Sequence, residues 1–219
     1  ATVVMSGRRE ALLEQHAQAI REAGGRAEVE VLVVAGATAV AQGGRRILDR
    51  HARIDILVNS AGVNSPTRFW KDQTPAGWSE VVRINLDGTF HAIHAVLPAM
   101  RAQKDGLIIN ISSWAGVHHP QFTGAAYNGT KHAVTAMTET LNMEECVNGI
   151  RACAICPAEV ATPIMDRRPV PPSAEARARM LQPEDLGATI RFVAEMPAHA
   201  CINQLIISPT WNRSYVGEL

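Results

Sequence analysis

The feature that most constrains this chain is the alternation of strand-like and helix-like apolar patterns along its whole length. Residues 2–6 form a short apolar run. Residues 10–23 then place Leu12, Leu13, Ala17 and Ile20 at helical spacing and stop at Gly24-Gly25. Residues 27–34 are rich in β-branched side chains, 38–51 have a helical pattern, and 54–59 are an apolar strand ending in a polar residue. A helical stretch runs from Trp78 to about Gln103. Residues 106–112 predict a strand, 125–147 a helix, 150–156 a strand, 183–196 a helix and 203–208 a last strand.

Strands this apolar need cover on both faces, and strands joined by helical crossovers run parallel. Such crossovers are right-handed. The expected fold is therefore α/β: a doubly wound parallel sheet of the Rossmann type, in a single domain over residues 1–219. The Pro- and Arg-rich stretch 162–182 is too long for a simple connection and is expected to form a lid.

Charge narrows the partners. Lys plus Arg and Asp plus Glu both number 21, so no basic excess marks a nucleic-acid footprint or a membrane-surface patch. No apolar run reaches the roughly 18–20 residues of a membrane span, and Ala1-Thr2-Val3-Val4-Met5 has no secretory character. Cys153 and Cys156 have C-x-x-C spacing, but positions i and i+3 of a strand face opposite sides, so neither a metal nor a disulfide is expected. Buried thiols imply a reducing cytoplasm.

The chemistry concentrates in Tyr127-Asn128-Gly129-Thr130-Lys131, which sets a Tyr and a Lys at i and i+4 on one helix face. An adjacent ammonium favours the phenolate and is expected to lower the pKa of the Tyr from its ordinary value. Upstream lie Ile109-Asn110-Ile111-Ser112-Ser113-Trp114-Ala115-Gly116, then Asn59-Ser60-Ala61-Gly62 at a strand end and Asn85-Leu86-Asp87-Gly88 within a helix. Downstream, Cys156-Pro157-Ala158-Glu159-Val160-Ala161-Thr162-Pro163 follows the next strand.

In this order of motifs the chain resembles the short-chain dehydrogenase/reductase family, from residue 1 to about 210. The resemblance implies an oxidoreductase that transfers a hydride between a nicotinamide dinucleotide and a carbonyl/alcohol substrate. Tyr127 would be the general acid/base, and Lys131 would hold the nicotinamide ribose. Ser113 would bond the substrate oxygen, because the family pattern is Ser-x-x-Gly and Ser113 precedes Gly116; Ser112 remains its rival. Asn85 would support a water-linked proton relay to Lys131. Asn59, Ala61 and Gly62 let the backbone approach the cofactor, and Pro157, Val160 and Thr162 would meet it from the other side, with Ala158 replacing the usual Gly. A homodimer or homotetramer through the helices 78–103 and 125–147 is implied as well.

Cofactor choice rests on Ser6-Gly7-Arg8-Arg9. An acid there would accept from the ribose 2′-hydroxyl of NAD, whereas arginine suits a 2′-phosphate. NADP(H) is therefore preferred, with NAD(H) as the alternative and Val34 on the adenine side. His91 and His94 lack a third ligand for a metal, and His118-His119 is expected to border the substrate. The family's glycine-rich phosphate turn precedes everything seen here, so the first strand and helix are expected to be absent from the sequence as given. That strand would lie between 2–6 and 54–59. It leaves a catalytically silent scaffold or cofactor-binding module as the competing reading.

Overall fold

Each of the six runs that the sequence marks as a strand pairs in parallel with another in the computed structural model, which describes residues 1–217. The chain runs β1 (Thr2–Gly7), α1 (Glu10–Glu22), β2 (Arg26–Val31), α2 (Ala37–His51) and β3 (Ile56–Asn59). Helix α3 (Pro75–Val82) starts three residues before the predicted Trp78, because Thr74 caps it by accepting from the Gly77 N–H at 3.1 Å and Pro75 fits the first turn. A π-helical turn, Arg83–Asp87, then interrupts the predicted single helix before α4 (Gly88–Gln103). Next come β4 (Gly106–Ile111), α5 (Ala125–Glu145), β5 (Ile150–Pro157), α6 (Ala174–Ala178), α7 (Pro183–Ala194), β6 (Gln204–Ile207) and α8 (Arg213–Val216).

The strands form two parallel sheets, β1-β2 and β3-β4-β5-β6. Strands β1 and β3 face one another without hydrogen bonds, across a cleft of about 1210 Å³. Val3, Ile56 and Val58 on these edges are 46%, 44% and 39% exposed. The pleat explains the double winding. On β4, Ile108 packs with Ile93, Val96 and Met100 of α4 and Leu141 of α5. Its neighbours Leu107 and Ile109 point the other way, onto Cys153, Ile155 and Val193 of α7. Full burial of each such side chain contributes about 1.5–3 kcal/mol.

One glycine decides how α5 is seated. Gly124, just before α5, has φ +79°, and a Cβ there would lie 2.4 Å from the Arg68 backbone oxygen. Only glycine accepts both constraints, and the loop carrying Arg68 therefore lies against the first turn of α5. The stretch 162–182 is more ordered than a simple lid: a 3-10 turn at Pro163–Arg167 and α6 stand on a base closed by the Val160–Leu181 bridge. Cys153 and Cys156 are buried and unpaired, and Cys146 and Cys201 are exposed. Burial pushes the Cys153 thiol up to about 12. Among the described residues, no cluster of His, Cys, Asp or Glu could hold a metal ion, and no helix is long and apolar enough to cross a membrane.

Candidate active site

The end of β4 and the start of α5 build the centre. Ser113 caps the short 3-10 turn Trp114–Gly116, its Oγ accepting from the Ala115 N–H at 3.1 Å. A Cβ on Gly116 would lie 2.3 Å from Ser112 Oγ and 2.8 Å from the Lys131 carbonyl, so this turn rests directly on α5. Ser112 turns inward and donates to the Lys131 carbonyl at 2.9 Å. Ser113 instead lines a pocket together with Tyr127, and its hydroxyl favours the phenolate of Tyr127. The pocket thus receives Ser113 and not its rival Ser112.

Lys131 and Asn85 stand behind this pair. Lys131 is 5% exposed; its Nζ lies 5.6 Å from the Tyr127 ring centroid and donates to the Ile111 carbonyl at 2.7 Å. Asn85 lies in the π-helical turn and clasps Val63: Oδ1 accepts from its N–H at 2.8 Å, and Nδ2 donates to its carbonyl at 2.9 Å. Gly62 joins the two, since a Cβ there would sit 3.7 Å from both Asn85 Oδ1 and Lys131 Nζ. All four predicted catalytic residues therefore converge from three separate elements.

The electrostatics correct one expectation. Burial raises the Tyr127 pKa above its ordinary value, and this outweighs the Ser113 hydrogen bond and the Arg68 and Arg168 charges, which lower it. The Lys131 ammonium, held by the Ile111 carbonyl, does not bring the phenol down in this state. Burial lowers Lys131 itself from 10.5 to about 8.

That fall has a stability consequence with a definite sign. Below about pH 8 both folded and unfolded chains carry the Lys131 proton, and the buried charge weakens the fold. Between about pH 8 and 10.5 the unfolded chain holds more of it, so this contribution improves as pH rises. The full change corresponds to about 3 kcal/mol. Relative to Lys131→Met, the wild type is expected to gain about that much stability between pH 7 and 10.5, read from urea midpoints at each pH. A pH-independent gap would show that Lys131 does not titrate in this way.

The cleft between the sheets is lined by Gly7, Arg8, Arg9, Val34, Asn59, Ala61 and Gly62. Arg8 and Arg9 are exposed and form no ion pair among the described residues. The Asn59 side chain donates to Asn110 Oδ1 at 2.8 Å, which holds the strand end in place. Pro157, Val160 and Thr162 line neither cavity: Pro157 is buried at the end of β5, Val160 bridges to Leu181, and the Thr162 N–H donates to the Val160 carbonyl at 2.8 Å. His118 and His119 do not line the pocket either, contrary to expectation. His118 packs on Trp114 and His119 stacks on His132, with centroids 4.2 and 4.6 Å apart. The pocket instead contains Arg68, Arg168 and Asn212, which the motifs did not single out. The visible signal for Arg68 is only a lone arginine in an otherwise uncharged stretch, residues 56–70.

The family model for short chain dehydrogenase matches residues 1–170, and the chain belongs to that family of oxidoreductases. It is 36% identical over 165 residues to an uncharacterised oxidoreductase of Staphylococcus saprophyticus, covering 72% of this chain and 66% of that protein. It is 36% identical over 181 residues to a 3-oxoacyl-acyl-carrier-protein reductase of Synechocystis sp., covering 82% of this chain and 72% of the relative. Among solved structures it is similar to a gluconate 5-dehydrogenase from Burkholderia cenocepacia in complex with NADP and tartrate. The TM-score is 0.83 at 28% identity, covering 94% of this chain and 84% of the other.

Proposed function

We propose that this protein is an NADP(H)-preferring oxidoreductase that interconverts a carbonyl and an alcohol in a small molecule. The observation that carries the reading is that Ser113 and Tyr127 line one pocket, with Lys131 and Asn85 packed behind them. The nicotinamide dinucleotide supplies or accepts the hydride. Tyr127 gives its proton to the carbonyl oxygen on reduction and takes one from the alcohol on oxidation. Ser113 donates to the same substrate oxygen and fixes its position. Lys131 presents a buried cation beside Tyr127, suited to the ribose hydroxyls, and Asn85 holds the 60–63 turn on which the backbone approach depends.

The donor set along the cleft suits NADP(H). Small residues Gly7, Ala61 and Gly62 leave the backbone open, and Arg8 and Arg9 on the same cleft, with no carboxylate partner among the described residues, support binding of a 2′-phosphate. Ile164, Met165 and Arg168 on the pocket wall support a substrate-covering role for 162–182. Phe90 on α4 and Met143 on α5, 52% and 69% exposed, support a homo-oligomer formed through those helices. Four unpaired cysteines support a reducing, cytoplasmic setting.

The deciding experiment is titration with NADPH and NADH, followed by the fluorescence of the reduced cofactor, and then turnover on a carbonyl panel. NADPH is expected to bind about tenfold or more tightly than NADH, and Arg8→Ala/Arg9→Ala to erase that difference, as loss of charge-assisted phosphate contacts requires. Equal affinities in the wild type would remove the NADP(H) preference. No binding of either by the folded protein would favour the scaffold reading.

A further inference from the structure

We propose that the pocket beside Tyr127 takes an oxo or hydroxy acid, its carboxylate held by the Arg68 guanidinium with the Asn212 side-chain amide as second donor; this deepens the oxidoreductase reading above and rests on it. Arg68 is 5% exposed, unusually buried for a cation. Its Nε donates to the Ser65 carbonyl at 2.8 Å and its Nη2 to the Arg167 carbonyl at 2.9 Å, and both acceptors are neutral. Among the described residues no Asp or Glu forms an ion pair with it. Of the groups that act on it, Arg168 and Arg167 are cations, and Tyr127 would oppose them only as a phenolate, a form that burial disfavours. A buried charge without a counter-ion is unfavourable unless something supplies one.

The one carboxylate on the pocket wall does not fill that role. Glu159 is engaged by Arg168 at 2.6 Å and by Arg213 at 3.4 Å. A second, independent observation lies in the lining of the same pocket. Asn212 is 3% exposed, and its Oδ1 accepts from the Ser214 N–H at 3.0 Å. Its Nδ2 is buried with no hydrogen-bond partner among the described residues. Two buried donors, one of them charged, therefore line one cavity with Tyr127 and lack an anionic acceptor. A carboxylate supplies several lone pairs and a negative charge at once, and suits the planar guanidinium. The remaining walls include Trp114, Phe122, Ile164 and Met165, which favour a short aliphatic body between the carboxylate and the reacting carbonyl.

The test pairs pyruvate, acetoacetate and levulinate with their methyl esters, which keep the carbonyl and lose the charge. Binding is measured by calorimetric titration with NADP⁺ present and absent, and turnover by NADPH oxidation. At least one acid is expected to bind about 100-fold more tightly than its ester, the scale of a charge-assisted hydrogen bond in a buried site. Arg68→Gln is expected to remove that ratio, and Asn212→Ala to reduce it about tenfold. If no acid binds better than its ester, including the case where nothing binds, the proposal is overturned. A folded Arg68→Gln protein that keeps the ratio also overturns it. Should Arg68→Gln fail to fold, the wild-type ratio and Asn212→Ala decide. Absence of NADPH oxidation with every compound counts against the oxidoreductase reading alone, since the acid-to-ester binding ratio needs no turnover.

Discussion

Tyr127→Phe is expected to lower kcat/KM by about 10³-fold, within the 10²–10⁴ range of positioned proton transfer, while NADPH affinity stays within about twofold. The substitution keeps the ring that packs beside Lys131 and removes only the hydroxyl that shares the pocket with Ser113. Its shape is nearly unchanged, so a loss confined to turnover reads out the proton and not the fold. The pH dependence carries a further signature. Burial holds the phenol above its ordinary pKa in the cofactor-free state, so oxidation, which needs the phenolate, should accelerate into the alkaline range. The residual activity of the Phe variant should lose that dependence. Initial rates in both directions between pH 6 and 10 would measure it, and turnover indifferent to the substitution would show that Tyr127 is not the acid/base.

Asn85→Ala is expected to destabilise the protein by about 2–4 kcal/mol, because it leaves both the N–H and the carbonyl of Val63 without their partner. Asn85 is 1% exposed, so water has little access to replace those bonds. For a chain of this size the loss corresponds to a fall in Tm of roughly 4–16 °C. Asn85→Asp should be intermediate: the carboxylate still accepts from the Val63 N–H but cannot donate to its carbonyl. Activity should fall with stability, since Gly62 and Lys131 adjoin the same side chain. Urea unfolding followed by circular dichroism measures the effect. A change below about 0.5 kcal/mol in the Ala variant would show that the clasp on Val63 contributes nothing.

Much of this was legible before any coordinates. The six strands and helix α5 follow from side-chain periods, because burial on both faces demands unbroken apolar runs while a helix buries one stripe. The Tyr127–Lys131 relation follows from helical spacing alone. Boundaries were less legible: β2 stops at Val31 rather than residue 34, where the Gly36 N–H turns back to the Val33 carbonyl at 3.0 Å. The π-helical turn at Arg83–Asp87 was also invisible, since the apolar pattern on either side is helical.

The rest required the chain to fold. Arg68 and Asn212 stand 144 positions apart, and no local pattern links them. They line one pocket because Gly124 seats the Arg68 loop on α5 and the chain after β6 returns to it. The direction of the Tyr127 shift was hidden for the same reason, because desolvation depends on everything packed around the phenol, while spacing reports only its helical neighbour. His118 and His119 illustrate the limit from the other side: their place between Ser113 and Tyr127 in sequence says nothing of direction, and ring packing on Trp114 and His132 carries them off the pocket wall. The sequence by itself determined which residues share a helix or a strand face, since those relations are set by backbone geometry. Only the tertiary structure decided which charges are buried together and which remain without a partner, because burial belongs to the packed molecule and not to any segment of it.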